Sequence, residues 1–230
     1  EEQNAHQLIV LSLDESGRAA PVINSGYDAG GCMTFTTDRF GRFAIAFVKH
    51  SFADLAGHWA RKPVEWLAAR GIVSGMSATA FAPDRNVTRA DFALLLVKAF
   101  ELVSDEEAGF ADVAKDAYYY DAVRIAKALG IVAGLGDNRF GPGESLTRQD
   151  MLVMVDKALA AAGKPLARGS DQTLAKFADA DQVSGYALES VKALVNAGII
   201  VGYDNRLNPA GTATRAEIAV ILEKLLKNLK

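Results

Sequence analysis

Three Thr-Arg pairs, Thr88-Arg89, Thr147-Arg148 and Thr214-Arg215, are the residues of this sequence best suited to chemistry. Each threonine hydroxyl suits a helix N-cap, and an acid follows three residues later at Asp91, Asp150 or Glu217, an acidic form of the capping box. The arginine then falls in the first turn of the helix. There a forked cation stands beside free backbone N–H groups, and the helix dipole favours negative charge. That combination suits a carboxylate or a similar anion. Patterns that break bonds are missing. His6, His50 and His58 form no His-Glu-x-x-His, and neither Gly-x-Ser-x-Gly nor Gly-x-x-x-x-Gly-Lys occurs. Gly136-Asp137-Asn138 and Asp204-Asn205 hint at calcium but lack the alternating acids and terminal glutamate of an EF-hand. A binding protein without metal or cofactor is therefore expected rather than an enzyme.

The 230 residues carry 25 basic and 28 acidic side chains, a net charge of −3, and half of them are apolar. This describes one large globular domain or two small ones, and excludes a basic nucleic-acid binder and a disordered tail. Near-neutrality gives little long-range steering toward an anion, so recognition should be local. Cys32 stands alone, which excludes an intramolecular disulfide and a cysteine metal site while leaving an extracellular address open. No apolar run approaches the roughly 18 residues of a membrane span, so no membrane insertion is expected. The chain begins at Glu1 without a methionine or a signal-like segment and reads as processed or as a fragment.

The elements that position the Thr-Arg pairs recur three times. Phe52-Ala-Asp54, Phe110-Ala-Asp112 and Phe177-Ala-Asp179 open the passages, followed by Trp59, Tyr118 and Tyr186. Each aromatic lies 12 residues before a glycine (Gly71, Gly130, Gly198), and a second glycine follows four later (Gly75, Gly134, Gly202). Phe81-x-Pro83, Phe140-x-Pro142 and Leu207-x-Pro209 come next, each proline five residues ahead of its Thr-Arg pair. Arginine-to-arginine spacings are 59 and 67 residues, the difference falling in a linker between Ala162 and Ser170. Local chemistry predicts helix, loop, helix in each unit, with the first glycine as helix stop. Counted from the threonine, positions +4, +7, +8, +11 and +12 of the second helix are apolar, as in Ile218, Ile221, Leu222, Leu225 and Leu226. Positions +5 and +6 are apolar too, so this helix must be surrounded by protein. Three units can pool such helices, and a closed pseudo-threefold arrangement is more economical than an open solenoid. Ahead of the repeats, Leu8–Leu11, Val22-Ile23, Met33–Thr36 and Phe43–Phe47 read as short strands. They form either the tail of an upstream β domain or a small sheet that leans on the repeats.

Phe-x-Asp, the aromatic, Gly-Ile-Val-x-Gly, Phe-x-Pro and Val-Thr-Arg-Ala-Asp-Phe, in that order and three times over, resemble the S-layer homology domain family from Phe52 to the C-terminus. Thr34–Phe40 is similar to the β segment that often leads into such repeats. The resemblance implies a mainly α fold, three helix-loop-helix repeats in a pseudo-threefold spindle around a central three-helix bundle, with a short N-terminal β segment. The corresponding divisions are 1–49 for the β-rich segment and 50–108, 109–169 and 170–230 for the repeats. It implies a non-catalytic module on the surface of a Gram-positive bacterium. That module anchors S-layer proteins or surface enzymes, glycoside hydrolases among them, to a peptidoglycan-linked secondary cell wall polymer, an anionic polysaccharide. A neighbouring S-layer protein, reached through an upstream region, is a further implied partner; nucleic acid is not.

By the same resemblance, grooves between lobes take a terminal pyruvylated amino sugar, whose ketal is a carboxylate on a sugar. Arg89, Arg148 and Arg215 are the implied carboxylate forks. Gly75, Gly134 and Gly202 would let a bulky ring approach the backbone, and Trp59, Tyr118 and Tyr186 would stack on the sugar. Other readings stand beside these: Thr88, Thr147 and Thr214 as caps, the arginines as inter-repeat struts, the three aromatics as packing between lobes. Asp54, Asp112 and Asp179 are expected to close Asx turns. The family often has an aromatic after the second glycine, where only Tyr203 keeps one against Met76 and Leu135, and Leu207 replaces a phenylalanine. The three grooves should therefore differ. A helical scaffold for protein partners is the competing function.

Overall fold

The structure is a computed structural model that describes residues 2–27, 30–37 and 40–228. Five short strands precede six helices: β1 (Leu8–Leu13), β2 (Ala19–Pro21), β3 (Gly26–Tyr27), β4 (Met33–Thr34), β5 (Arg42–Phe47), then α1 (Arg61–Ala69), α2 (Arg89–Ala99), α3 (Tyr120–Ala128), α4 (Arg148–Ala161), α5 (Leu188–Asn196) and α6 (Arg215–Asn228). The fold is mainly α with a small N-terminal β segment, as expected. The chain divides into two compact units, one of Glu1–Asp84 with Arg215–Lys230 and one of Arg85–Thr214.

In the first unit, β1 pairs antiparallel with β2 on one side and β5 on the other, while β3 and β4 form a separate ladder. The strand expected at Val22-Ile23 lies earlier, at β2. Val22 N adds one bond to Val10 O at 2.8 Å, and Ser25 N then closes a turn onto Val22 O at 3.1 Å. Within the stretch Thr34–Phe40, Asp38 and Arg39 lie outside the described residues.

The β segment leans on the helices after it through two buried charges on α1. Arg70, at its C-cap, donates from Nη1 to Trp66 O (3.0 Å) and His6 O (3.3 Å), and from Nη2 to Ser25 O (2.9 Å) and Leu8 O (3.3 Å). Its guanidinium lies 3.8 Å from the Trp66 ring centroid. Burial pushes its pKa down to about 10, with Glu223 acting in the opposite direction. Glu65 accepts from Arg61 Nε (2.9 Å), Gln7 Nε2 (3.0 Å) and His6 Nε2 (3.0 Å). Against this end of the unit α1 packs on α6, whose Ile218, Ile221, Leu222, Leu225 and Leu226 are all buried.

The second unit holds α2, α3, α4 and α5. Here α2 packs on α3 and on α4, and α4 packs on α5. Across the molecule, therefore, each first helix packs on a second helix from another repeat: α1 on α6, α3 on α2, α5 on α4. The segments that lead into the second helices come together in this unit and hydrogen-bond in a ring. Val87 N donates to Ala213 O (3.1 Å), Ala213 N to Leu146 O (3.0 Å), and Leu146 N to Val87 O (3.1 Å). All three residues are buried. One segment from each repeat thus meets the other two within this unit.

Arg70→Ala is expected to destabilise the first unit by about 1–3 kcal/mol, because carbonyls that it serves would lose their donor. Denaturant unfolding reads the change. Removing residues 1–50 takes away three of the same carbonyls, so the two changes should be far from additive. Additive losses would mean that Arg70 does not hold the sheet.

Candidate functional site

Each loop between a first and second helix is shaped by the same pair of devices. Asp54 accepts the N–H groups of Phe81 (2.9 Å) and Ala82 (2.7 Å), Asp112 those of Phe140 (2.7 Å) and Gly141 (2.8 Å), and Asp179 those of Leu207 and Asn208 (both 2.8 Å). The expected local Asx turns are thus replaced by staples that cross the repeat. Their physical reason is the left-handed backbone just before each proline, at Ala82 (φ 58°), Gly141 (φ 69°) and Asn208 (φ 52°). It turns two successive N–H groups the same way, a nest that a carboxylate fills. Burial acts to raise the pKa of each aspartate, but the paired N–H bonds, helped by Arg215, Arg139 and Arg206 respectively, hold all three below the ordinary carboxylate value.

The second device is the missing side chain of the second glycine. A Cβ would lie 2.6 Å from Phe52 Cε1 at Gly75, 2.7 Å from Phe110 Cε1 at Gly134, and 2.5 Å from Phe177 Cε1 at Gly202. The ring these glycines admit to the backbone in the structure is the protein's own, from Phe-x-Asp.

The helix starts are likewise engaged. Thr88 Oγ1 accepts from Asp91 N (3.1 Å) and donates to Asp91 Oδ2 (2.9 Å), and Thr147 does the same with Asp150 (3.2 and 2.6 Å). Thr214 bridges to Asn86. Arg89 N and Ala90 N donate to Glu144 O (3.0 Å) and Pro142 O (3.2 Å), Arg148 N and Gln149 N to Gly211 O (2.8 Å) and Pro209 O (3.0 Å), and Ala216 N to Pro83 O (2.9 Å). The N–H groups expected to be free for an anion are therefore taken by the proline loop of another repeat.

Each arginine reaches the loop of another repeat. Arg89 Nε donates to Phe140 O (3.0 Å), Arg148 Nε to Leu207 O (3.0 Å) and Arg215 Nε to Phe81 O (2.8 Å). The three surroundings differ, as expected. Arg215 also donates from Nη2 to Ser74 O (2.6 Å) and lies 4.3 Å from the Phe81 centroid. Arg148 meets Leu207, which offers no ring face. Arg89 lies 5.1 Å from the Phe140 centroid and is only 9% exposed, yet among the described residues its Nη groups make no hydrogen bond to protein. Its charge also acts on the Tyr186 phenol.

Trp59, Tyr118 and Tyr186 are 63%, 72% and 63% exposed, so none of them is a buried packing residue. Tyr118 donates to Asp91 Oδ1 and Tyr186 to Asp150 Oδ1, both at 2.6 Å, so each tyrosine is braced on the capping acid of another repeat. The Asp91 bond pushes the Tyr118 pKa up to about 12, and burial together with the Asp150 bond does the same for Tyr186. Trp59 instead stands 5.1 Å from the His58 ring. Within the second unit stand Arg89 over Phe140 and Tyr186 braced on Asp150. Sequence reasoning missed Phe140 and Phe81 as platforms beneath arginines and Asp150 as a tyrosine brace. Their fixed offsets from the prolines and threonines were the available signal. The Asp137-Asn138 and Asp204-Asn205 pairs are left-handed turn residues, and among the described residues no three His, Cys, Asp or Glu converge on a metal position.

Comparison with known proteins places this geometry in context. The S-layer homology domain profile matches residues 51–93, 109–152 and 176–219. The chain is 31% identical over 203 residues to an amylopullulanase of Thermoanaerobacterium thermosulfurigenes, a match covering 86% of this chain and 11% of the relative. It is 29% identical over 190 residues to the surface-layer 125 kDa protein of Lysinibacillus sphaericus (81% and 16%) and 28% identical over 183 residues to the S-layer protein sap of Bacillus anthracis (78% and 22%). The matched region is thus a small part of each of these longer proteins.

The aspartate staples carry a pH signature. With their folded pKa values depressed, their stabilisation is complete above the unfolded value of about 3.9 and is lost as pH falls through the lower folded values. Thermal unfolding temperature should therefore drop between about pH 4 and pH 2. Asp112→Asn should start lower at neutral pH and show a shallower acid limb. An unchanged limb would remove Asp112 from the set of groups that couple folding to protons.

Proposed function

The chain belongs to the S-layer homology domain family, and from that premise we propose that it binds a terminal pyruvylated amino sugar of a secondary cell wall polymer. The family supplies the coarser statement: this is a cell-wall anchoring module at the extracellular surface. Matches to S-layer proteins and to enzymes over the same repeats support a module that holds either kind of cargo. They favour wall anchoring over a scaffold for protein partners.

The observation that carries the finer reading is Arg89. An arginine only 9% exposed, fixed through Nε and keeping its Nη edge free of protein hydrogen bonds among the described residues, is a fork suited to a carboxylate. A pyruvyl ketal provides that carboxylate, and Tyr186, exposed and held by Asp150, offers a flat face for the sugar ring. Arg148 and Arg215 hold the corresponding positions of their own repeats, and Tyr118 and Trp59 are candidate sugar platforms. Arg215, already bound to Ser74 O, should contribute less than Arg89. Gly75, Gly134, Gly202, Thr88, Thr147 and Thr214 serve by holding the loops and helix starts in place.

Arg89→Ala should cost about 1.5–3 kcal/mol of binding at its groove, or about one to two orders of magnitude in affinity for purified pyruvylated polymer. It should also lower the melting temperature, since Phe140 O loses its donor. Tyr186→Ala separates the two effects, because an exposed ring can be removed with little loss of stability, and it should weaken binding by about tenfold. Arg89→Lys should rescue in part, keeping charge without the planar fork. Equal affinity of the parent chain for polymer with and without the pyruvyl group would overturn the proposal.

A further inference from the structure

β5 lies at the edge of its sheet. Val48 N donates to Gln7 O at 3.1 Å, and the pairing of β1 with β5 continues in register from there, Leu8 with Phe47 through Leu13 with Arg42. Hydrogen-bonded pairs alternate along an antiparallel ladder, so Ala46, Ala44 and Arg42 turn their backbone groups toward β1. Phe43, Ile45 and Phe47 turn theirs outward, where among the described residues they meet no protein partner. The side chains of the same three residues share one face with Leu8, Val10 and Ser12. Ile45 is 64% exposed and Phe47 50%, while Phe43 leans on Phe35 with ring centroids 4.8 Å apart.

The segment Phe43-Ala44-Ile45-Ala46-Phe47 reads the same in both directions. An antiparallel partner is met in reverse order, so this edge is complementary to itself. We propose that β5 pairs with β5 of a second copy of this chain about a two-fold axis through Ile45. Ile45 then exchanges both backbone hydrogen bonds with Ile45 of the partner subunit, and Phe43 exchanges both with Phe47 of the partner subunit. Every outward group of the three residues is satisfied, and the exposed phenylalanines and isoleucines form one continuous apolar stripe. Such an interface is isologous and closes at two copies. The opposite edge cannot extend it, because β2 is three residues long and ends on Pro21. A bare apolar edge would otherwise invite open-ended association. One short strand pair makes a small interface, so the dimer is a weak one that forms where chains are crowded. The proposal does not depend on which ligand fills the grooves.

Sedimentation velocity of the 230-residue chain, up to the effective concentration of about 1 mM that tethering provides, should show a monomer–dimer equilibrium. Ile45→Pro deletes only an outward N–H and leaves the β1 ladder intact. It should raise the dissociation constant by about tenfold or more, with helical circular dichroism unchanged. A second measurement holds even if that variant perturbs the sheet. In Cys32→Ser/Ile45→Cys, residue 45 faces its own copy with Cα atoms about 5.5 Å apart, within disulfide reach, and mild oxidation should give a covalent dimer. Cys32→Ser/Ala46→Cys places residue 46 against residue 44 and should stay monomeric. A chain that remains monomeric throughout, or cross-links equally through position 46, overturns the proposal.

Discussion

A ring of three backbone hydrogen bonds, joining Val87, Leu146 and Ala213, is the constraint on which the arrangement of the second unit depends. Each bond links a different pair of repeats, and all three residues are buried. A buried amide or carbonyl left without a partner costs about 1–3 kcal/mol, so no repeat can withdraw its segment without stranding groups on the other two. Two further layers of contact surround the ring. The bridges Thr88–Ser145, Thr147–Thr212 and Asn86–Thr214 flank it, and the first-turn N–H groups of the second helices bond to carbonyls of a neighbouring proline loop. Closure is therefore written mainly in the backbone.

Closure in turn determines what each arginine meets. Because the Thr-Arg pair follows the ring segment directly, its side chain is delivered to the loop of another repeat, where Nε finds a carbonyl. Those loops keep their shape through the aspartate nests and through phenylalanine rings seated on side-chain-free glycines. A candidate site whose loops are already held by such bonds would meet a ligand at a lower ordering cost. The arginines differ in what they meet: Phe140 under Arg89, Leu207 beside Arg148, and Phe81 together with Ser74 O against Arg215.

Much of this was legible in the sequence, and the limits have physical causes. The second helices were readable because their apolar period and their threonine caps are local, and Phe92, Leu96, Ile218, Leu222 and Leu225 are all buried as the period required. The glycine stops at Gly71, Gly130 and Gly198 were equally local, and all three have positive φ. The ring was not readable by residue type, since Val87, Leu146 and Ala213 contribute only backbone atoms there. Asp54, Asp112 and Asp179 recurred visibly, but their partners lie 27 to 29 residues away, beyond any turn rule. Arg70 and Glu65 gave no repeat signal, because they serve the β segment that precedes only one of the repeats. The arginines were found, and their surroundings were not, because each surrounding comes from another repeat.

Native-state hydrogen exchange at the amides of Val87, Leu146 and Ala213 tests the ring most directly. If closure governs the structure, all three should exchange through one opening, with a common free energy and a common denaturant dependence close to that of global unfolding. Removing residues 212–230 should then abolish protection at Val87, whose acceptor is lost, and also at Leu146, whose acceptor is not. Protection surviving at Leu146 in the shortened chain, or three different opening energies in the full one, would contradict the account.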